Sequence, residues 1–209
     1  MKQHDPVRNN IGRILLLCCS MALALPVQAS VEVGKAAPDF SGIDSDGKTQ
    51  TLSQYKGKTV VLEWTNHDCP YVRKHYHSGN MQALQKDATA KGIIWLSIIS
   101  SAPGKQGHVT AGQANELTKS RNASPTAVIL DETSDIGRLY GAKTTPHMYI
   151  INPAGQLVYM GGIDSIPTSN EADIAKATKY VSIALQAMAE GKPIVDNVTR
   201  PYGCSVKYK

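Results

Sequence analysis

Short apolar runs alternate with longer amphipathic segments through most of the chain. The runs Thr59–Thr65, Ile93–Ser100 and Thr126–Leu130 are apolar or rich in β-branched residues, which is typical of buried strands. Between them, apolar residues recur at helical spacing after Pro70 and after Thr110, where a capping box opens the second of these helices. This alternation predicts parallel strands connected by helices.

Two hairpins flank the alternating segments. Asp44–Gly47 is a strong turn signal near the start of the chain, and Asn152–Gly155 separates the apolar runs His147–Ile151 and Gln156–Met160. A last helix is predicted from about Glu171 to Ala189, where apolar residues keep helical spacing. The sequence therefore predicts an α/β fold: a mixed central sheet with helices on both faces and an added N-terminal β-hairpin.

The first residues have the pattern of a targeting segment. Basic residues up to Arg13 precede the apolar stretch Ile14–Leu25, and a small-residue cleavage site ends at Ala29. The apolar stretch is too short to span a bilayer, which disfavours the alternative of a permanent membrane anchor. We therefore expect a signal peptide over residues 1–29, a periplasmic or secreted protein, and one domain over residues 30–209 with a tail from about residue 193.

The charge balance of the remaining chain is mild. The whole chain has a formal net charge of +5, and 19 basic against 16 acidic residues remain after residue 29, a net charge of +3. These basic residues do not cluster. Neither nucleic acid nor an anionic membrane surface is therefore an expected partner.

Two of the four cysteines, Cys69 and Cys204, lie outside the predicted signal peptide. Cys69 follows the central strand and precedes Pro70, which suits the first position of a helix because it has no N–H to leave unpaired. The free N–H groups at a helix N-terminus favour a thiolate over a thiol. Cys204 lies in the tail, within the turn-forming segment Arg200–Ser205. An exported protein can keep such a pair as a reversible working disulfide or as a static structural one.

Charged and imidazole side chains surround Cys69 in the sequence. Arg73 and Lys74 are interpreted as solvated helix charges, although Arg73 is close enough in sequence to lower the pKa of the thiol. Four histidines are candidate metal ligands. His67, His75 and His77 lie close to Cys69 in the sequence, and His147 begins the second hairpin. Because imidazole with thiolate suits copper or zinc, a metal-binding chaperone that uses Cys69 with His67 or His147 is an alternative. The favoured interpretation includes no metal and no cofactor.

With Cys69–Pro70 after the central strand and Thr144–His147 before the second hairpin, the chain resembles a thioredoxin-fold protein. It is similar to the redoxin branch, which contains the alkyl hydroperoxide reductase/thiol-specific antioxidant (AhpC/TSA) proteins and the TlpA/ResA-like exported oxidoreductases. Ala37–Phe40 matches the typical opening of that branch, and the resemblance covers nearly all of residues 33–189. It implies a thioredoxin-like fold in which Thr145 and Pro146 occupy the cis-proline position, whose loop faces the active thiol and helps to dock partner chains.

Departures from the family patterns narrow the expected chemistry. Val72 stands where a thioredoxin-type pair has its second cysteine, so ordinary CxxC chemistry is excluded. The peroxiredoxin pattern has proline seven residues and threonine or serine three residues before its cysteine. Leu62 and Asn66 stand there, with Thr65 one place away. Because that hydroxyl helps to bind the peroxide in the family, disulfide exchange is favoured over peroxide reduction.

The sequence thus predicts an exported thiol-disulfide oxidoreductase. Cys69 is the expected nucleophile, Thr145 and Pro146 form the facing loop, and Cys204 is the candidate resolving thiol, since the first attack must be followed by release. Expected partners are protein thiols and disulfides, or peroxide, together with an external thiol reductant. The alternatives are a peroxiredoxin-like peroxidase, the metal-binding chaperone, and a non-enzymatic binding domain whose disulfide is structural.

Overall fold

The computed structural model describes residues 1–3 and 31–209. The predicted signal peptide falls almost entirely on residues 4–30, outside the described residues, and so stays a prediction. Within the described ranges, no helix combines the length and the apolar character needed to cross a bilayer.

Strands and helices alternate as the hydrophobic pattern predicts. The strands of the described residues are β1 Ser41–Ile43, β2 Thr49–Thr51, β3 Val60–Trp64, β4 Ile94–Ile99, β5 Ala127–Leu130, β6 Thr144–Thr145, β7 His147–Ile151, β8 Leu157–Gly161 and β9 Cys204–Ser205. The helices are α1 Pro70–His77, α2 Asn80–Ala90, α3 Ala111–Ser120, α4 Asp135–Tyr140 and α5 Tyr180–Ala189, with 3₁₀ turns at Ser53–Tyr55 and Glu171–Asp173.

Five of these strands form the central sheet in the order β5-β4-β3-β7-β8. β3, β4 and β5 are parallel, whereas β7 runs antiparallel to both β3 and β8. β3 is buried along its whole length, because it has a strand on each side and both of its faces are covered. The predicted mixed sheet is confirmed, and β3 lies at its centre.

Each face of the sheet carries its own apolar core. Buried residues of α1, α2 and α5, such as Val72, Met81 and Val181, pack on one face. Residues of α4 and of the N-terminal segment, such as Ile136 and Phe40, pack on the other. The predicted N-terminal hairpin is also present, because β1 pairs antiparallel with β2.

The predicted start of the last helix is wrong. The helix begins at Tyr180 rather than near Glu171, which opens only a 3₁₀ turn. Between the two, Thr178 is tied to the segment after β8: the Ser165 amide donates to the Thr178 carbonyl at 3.1 Å, and the Thr178 amide to Ser165 Oγ at 2.9 Å. These long-range hydrogen bonds hold the backbone out of the helix, and helical spacing alone does not reveal them.

The tail returns to the end of the sheet where Cys69 lies. Val198 first bridges Met160 on the outer edge of β8. β9 then pairs antiparallel with β6, so that Cys204 stands opposite Thr145. The tail therefore crosses the end of the fold where Cys69 lies, as a contact between the two cysteines requires.

Candidate active site

Cys69 is placed by the junction between β3 and α1. It is the N-cap residue of α1, with extended backbone angles, and Pro70 begins the helix. Its carbonyl accepts the Arg73 amide at 2.9 Å, which closes the first helical turn. The Cys69 side chain is fully buried in the apolar core beneath α1. The strand-to-helix junction thus presents one thiol at a helix N-terminus, as the sequence predicts.

The other predicted site residues lie around this thiol. The Cys69 thiol donates to the Thr145 carbonyl at 3.1 Å, and Cys69 Sγ accepts the Cys204 amide at 3.4 Å. The Thr145–Pro146 peptide bond is cis, as the family resemblance implies. The structure therefore brings all four predicted site residues, Cys69, Cys204, Thr145 and Pro146, into one cluster. Both cysteines are free thiols.

The pKa of Cys69 is lowered from its ordinary value of 9.0. Burial alone would raise it, because a low-dielectric setting disfavours the thiolate. Hydrogen bonds from the Cys204 thiol and amide, from the Val72 amide and from the Thr145 side chain favour the thiolate and outweigh burial. Cys69 is therefore the thiol of the pair that ionises more easily.

The pKa of Cys204 moves in the opposite direction, to about 11. Burial raises it first, followed by the hydrogen bond that its thiol makes to Cys69 and by the charge of the Cys69 thiolate, while Lys207 lowers it slightly. Cys204 is half-buried, whereas Cys69 is inaccessible. The two thiols thus differ both in ionisation and in exposure.

Gly203 allows the close approach of the tail. Its φ is +134°, and a Cβ built on it would lie 2.0 Å from the Thr145 carbonyl oxygen. No side chain fits between the tail and the cis-proline loop at this point. The glycine before Cys204 is therefore a requirement of the site, whereas the sequence alone indicates only a turn there.

The residues at the end of β3 do not bond to the thiol. Asn66 Oδ1 accepts the Asp68 amide at 2.9 Å, and its Nδ2 donates to the Gln106 carbonyl at 3.3 Å. The buried hydroxyl of Thr65 has no hydrogen-bond partner among the residues that the structure describes. Neither side chain donates to Cys69 Sγ, so the hydroxyl that the peroxiredoxin pattern places beside its cysteine has no equivalent at either position.

The two basic residues of α1 behave differently. Arg73 is exposed, and its guanidinium donates to the His67 carbonyl at 3.2 Å and to Asp68 at 3.3 Å, in agreement with a solvated helix charge. The same interpretation is wrong for Lys74, whose side chain is 0% exposed. Its ammonium donates to Asp164 and to the Ile166 carbonyl, both of which lie after β8. A buried counter-charge some ninety residues away is not visible in the local sequence.

The sequence pattern also does not reveal the role of a glutamate that is buried beneath α1. Glu63, in the middle of β3, is 0% exposed and accepts hydrogen bonds from Tyr76, Gln85, Trp95 and Ser97 at 2.8–3.1 Å. Burial raises its pKa, and these four donors lower it only in part. The only signal was a charged residue inside an apolar strand. Its contact with Tyr76 fixes α1, and hence Cys69, against the sheet.

The histidines contact groups other than Cys69, and the buried Nδ1 of His67 has no hydrogen-bond partner among the described residues. His75 bonds Asn80 and Tyr202 through its two ring nitrogens, and His147 Nδ1 lies 3.1 Å from the Tyr149 hydroxyl. His77 faces Glu171 at 3.8 Å on the surface. Within residues 1–3 and 31–209, no group of three or more histidine, cysteine or acidic side chains is arranged to hold a metal ion. Neither His67 nor His147 is hydrogen-bonded to Cys69.

Comparison with known proteins gives a family and related structures for the chain. The model of the AhpC/TSA family matches residues 33–160. A curated relative, the thiol-disulfide oxidoreductase ResA of Bacillus subtilis (strain 168), is 24% identical over 170 residues, which cover 76% of this chain and 86% of ResA.

Solved structures share the fold. An uncharacterized conserved protein from Geobacillus kaustophilus superposes with a TM-score of 0.72 at 26% identity, over 85% of this chain and 93% of that one. A protein from Chlorobium tepidum, assigned as the thiol:disulfide interchange protein DsbE, superposes with a TM-score of 0.51 at 25% identity, over 63% and 85% of the two chains. The fold is thioredoxin-like, with the N-terminal hairpin β1–β2 added to it.

Proposed function

The chain belongs to the AhpC/TSA family and is a thiol-dependent oxidoreductase, and from this premise we propose that it exchanges disulfides with partner proteins through Cys69 and Cys204. One observation carries the proposal: the two free thiols meet at the cis-proline loop, and the pKa of Cys69 is lowered while that of Cys204 is raised to about 11. The N-terminal sequence pattern supports export as the setting of this reaction.

The first step uses Cys69 as the nucleophile. Its thiolate attacks one sulfur of a partner disulfide, the partner's S–S bond breaks, and one partner thiolate leaves. The product is a mixed disulfide between Cys69 and the partner. Because the helix N-terminus and the surrounding donors stabilise the Cys69 thiolate, it attacks at a pH where Cys204 is still protonated.

The second step uses Cys204 as the resolving thiol. Once Cys69 is bound in a mixed disulfide, its thiolate no longer raises the pKa of Cys204, so Cys204 ionises more readily than in the free pair. Its thiolate attacks Cys69 Sγ, the bond between Cys69 and the partner breaks, and the partner leaves with both of its sulfurs reduced. The protein keeps a Cys69–Cys204 disulfide, and an external thiol reductant returns it to the starting state. The same two steps in reverse order transfer the disulfide from this protein to a reduced partner, which is thereby oxidised.

The surroundings of Cys69 favour disulfide exchange over peroxide reduction. Neither Asn66 nor Thr65 donates a hydrogen bond to Cys69 Sγ. We therefore expect reduced protein to react faster with a disulfide than with hydrogen peroxide at equal concentration. Stopped-flow traces against each oxidant measure this directly, and faster reaction with peroxide would assign the pair to a peroxidase instead.

A redox titration separates a working disulfide from a structural one. A catalytic pair is expected to equilibrate at potentials of known exchange proteins, roughly −120 to −270 mV, whereas structural disulfides lie below about −300 mV. The fraction of Cys69–Cys204 disulfide, measured by mass spectrometry across glutathione or dithiothreitol buffers, gives the value. A potential in the lower range would favour the non-enzymatic domain with a structural bridge.

A further inference from the structure

A buried charged cluster joins the helix that carries Cys69 to the tail that carries Cys204. Lys74 of α1, Asp164 after β8 and Tyr202 of the tail meet there, and all three are at least nine-tenths buried. The Lys74 ammonium donates to Asp164 Oδ2 at 3.3 Å, to the Tyr202 hydroxyl at 3.3 Å and to the Ile166 carbonyl at 3.0 Å. The Tyr202 hydroxyl in turn donates to Asp164 Oδ1.

The hydrogen bonds of Tyr202 define a single orientation of its hydroxyl. Since its proton goes to Asp164, the oxygen is left to accept from Lys74 and from His75 Nε2, which lies 3.2 Å away. His75 Nδ1 is 2.9 Å from the Asn80 side-chain amide, so that nitrogen is the acceptor and Nε2 carries the proton. Every side-chain polar atom of Lys74, His75, Asp164 and Tyr202 has a partner. A fully satisfied buried network favours one arrangement of the segments that contribute to it.

The cluster lies where it controls the distance between the two thiols. Lys74 and Cys69 belong to the same short helix with its cap, and Tyr202 precedes Cys204 by two residues. The Tyr202 ring also packs against Tyr71 at 5.8 Å between centroids. Because Lys74 of α1 binds the Tyr202 hydroxyl, the cluster also keeps Gly203 and Cys204 next to Cys69. The Cys204 amide donates to Cys69 Sγ at 3.4 Å.

Stability alone does not explain a charged cluster at this point. A buried ion pair contributes little net stability compared with apolar side chains of similar volume, and the apolar core of α1, α2 and α5 continues beside it. A directional network, in contrast, fixes which groups face each other. In this structure the groups that it aligns are the two segments that carry the thiols.

We propose that Lys74, Asp164 and Tyr202 are positioning residues that hold Cys204 against Cys69 and so set the rate at which Cys204 resolves a mixed disulfide. This inference rests on the proposed function, in which Cys204 performs that step. It also predicts the opposite effect on the rate of the first step, the attack of Cys69 on a disulfide. Because the tail and the cis-proline loop leave Cys69 0% exposed, the cluster that speeds resolution also restricts access of an external disulfide.

The experiment follows the two steps with 5,5′-dithiobis(2-nitrobenzoate), which releases one coloured thiolate at each of them. Attack by the first protein thiol forms a mixed disulfide and releases the first thiolate. Closure of the Cys69–Cys204 disulfide releases the second. The full chain is used with Cys18 and Cys19 replaced by serine, so that Cys69 and Cys204 are its two thiols. Stopped-flow absorbance of this reduced protein therefore gives both rates in one trace.

Tyr202→Phe is the principal variant, because it removes the hydroxyl at the centre of the cluster and keeps the ring. We expect the second release to slow by about tenfold or more, since loss of alignment is costly in a step between positioned groups. The first release is expected to be unchanged or faster. Tyr71→Phe is the matched control: it removes a neighbouring tyrosine hydroxyl that makes no hydrogen bond within the described part of the chain, and both rates should stay at wild-type values.

Other variants keep the failures distinguishable. In Cys204→Ser the second release should disappear; if it persists, the proposed function itself fails. If it disappears there but Tyr202→Phe closes at the wild-type rate, only the positioning role is overturned. Should Tyr202→Phe not fold, as judged by its thermal melt, Lys74→Met tests the same cluster with an apolar side chain of similar length. A slowed second release with an unslowed first release in Lys74→Met supports the positioning role, and a wild-type second release overturns it.

Discussion

The two thiols are carried by regions that are held in place in different ways. Cys69 lies at the junction of β3 and α1, which an apolar strand and an amphipathic helix hold in place by ordinary core packing. Cys204 lies in a tail with little regular structure, which is fixed by β-pairing to Thr145, by the close approach at Gly203 and by the buried cluster around Tyr202. One region is placed by its hydrophobic pattern, and the other by a few specific contacts.

The difference explains how two similar groups acquire the different roles that we propose for them. The hydrogen bond that the Cys204 thiol makes to Cys69 lowers the pKa of Cys69 and raises that of Cys204. Ionisation is therefore a property of the pair, and it depends on the tail being in place. Changes at the junction should abolish the reaction, whereas changes in the tail should separate its two steps.

The largest effect is expected from removal of the thiol at the junction. Cys69→Ala should reduce disulfide exchange to near the uncatalysed rate, because it removes the thiol whose ionised form the surrounding hydrogen-bond donors stabilise. Turnover of a small disulfide with an external thiol measures this. Cys204→Ser serves as the comparison, since it should retain the first attack and accumulate mixed disulfides on Cys69. Catalytic turnover by Cys69→Ala would show that the roles are assigned to the wrong region.

Acid should weaken the connection between the two regions at His75. Burial lowers the pKa of this histidine to about 4, despite the opposing charge of Asp164. The unfolded chain takes up a proton below pH 6.5 while the folded chain does not, so the stabilising contribution is present above pH 6.5 and is lost as the pH falls toward 4. The loss is roughly 3 kcal/mol. Denaturant melts of wild type and His75→Gln across this window give the difference, and parallel curves would contradict the assignment.

A smaller effect is expected from adding one methyl group to the tail at Gly203. Gly203→Ala places a Cβ against the Thr145 carbonyl, which should displace β9 and slow closure of the Cys69–Cys204 disulfide by about tenfold. Gly191→Ala is the control, because this glycine also has a positive φ but an added Cβ there meets nothing within 4 Å. The two-step release assay reports both variants. Equal closure rates in the two would show that the tight approach at Gly203 is not required.

The smallest expected effects are changes in ionisation. Cys204→Ala should raise the pKa of Cys69, because it removes the thiol hydrogen bond that favours the thiolate. Cys69→Ala should lower the pKa of Cys204 from about 11 toward 9.0, because both the hydrogen bond and the neighbouring charge disappear. Iodoacetamide labelling across a pH series yields both values. If neither midpoint moves, the thiols ionise independently and the comparison between the regions loses its electrostatic basis.

The sequence predicted the junction better than the tail for a physical reason. Apolar runs and the Cys69–Pro70 pair report local structure, so β3 and the start of α1 follow from nearby residues. Lys74 was interpreted as solvated because its partners, Asp164 and Tyr202, are distant in sequence. The start of α5 was misplaced for the same reason, since Ser165 holds Thr178 outside the helix.

The number of cysteines in the chain predicts the pair but not how the tail reaches Cys69. It indicated that Cys69 and Cys204 are partners, and the structure places Cys204 opposite Thr145, with its amide on Cys69 Sγ. Counting gave neither the path of the tail nor its contacts, because Ile194–Lys209 has no hydrophobic period. The contacts that hold it are polar and long-range. In the sequence, Tyr202 and Gly203 are notable only because they lie next to Cys204.

The central claim is that Cys69 attacks first and Cys204 resolves. Its most direct test mixes fully reduced protein with glutathione disulfide, quenches the reaction with acid at successive times and maps the adducts by peptide mass spectrometry. The account predicts that glutathione appears first on Cys69 and is then replaced by the Cys69–Cys204 disulfide. Early glutathione on Cys204, with Cys69 still a free thiol, would contradict it.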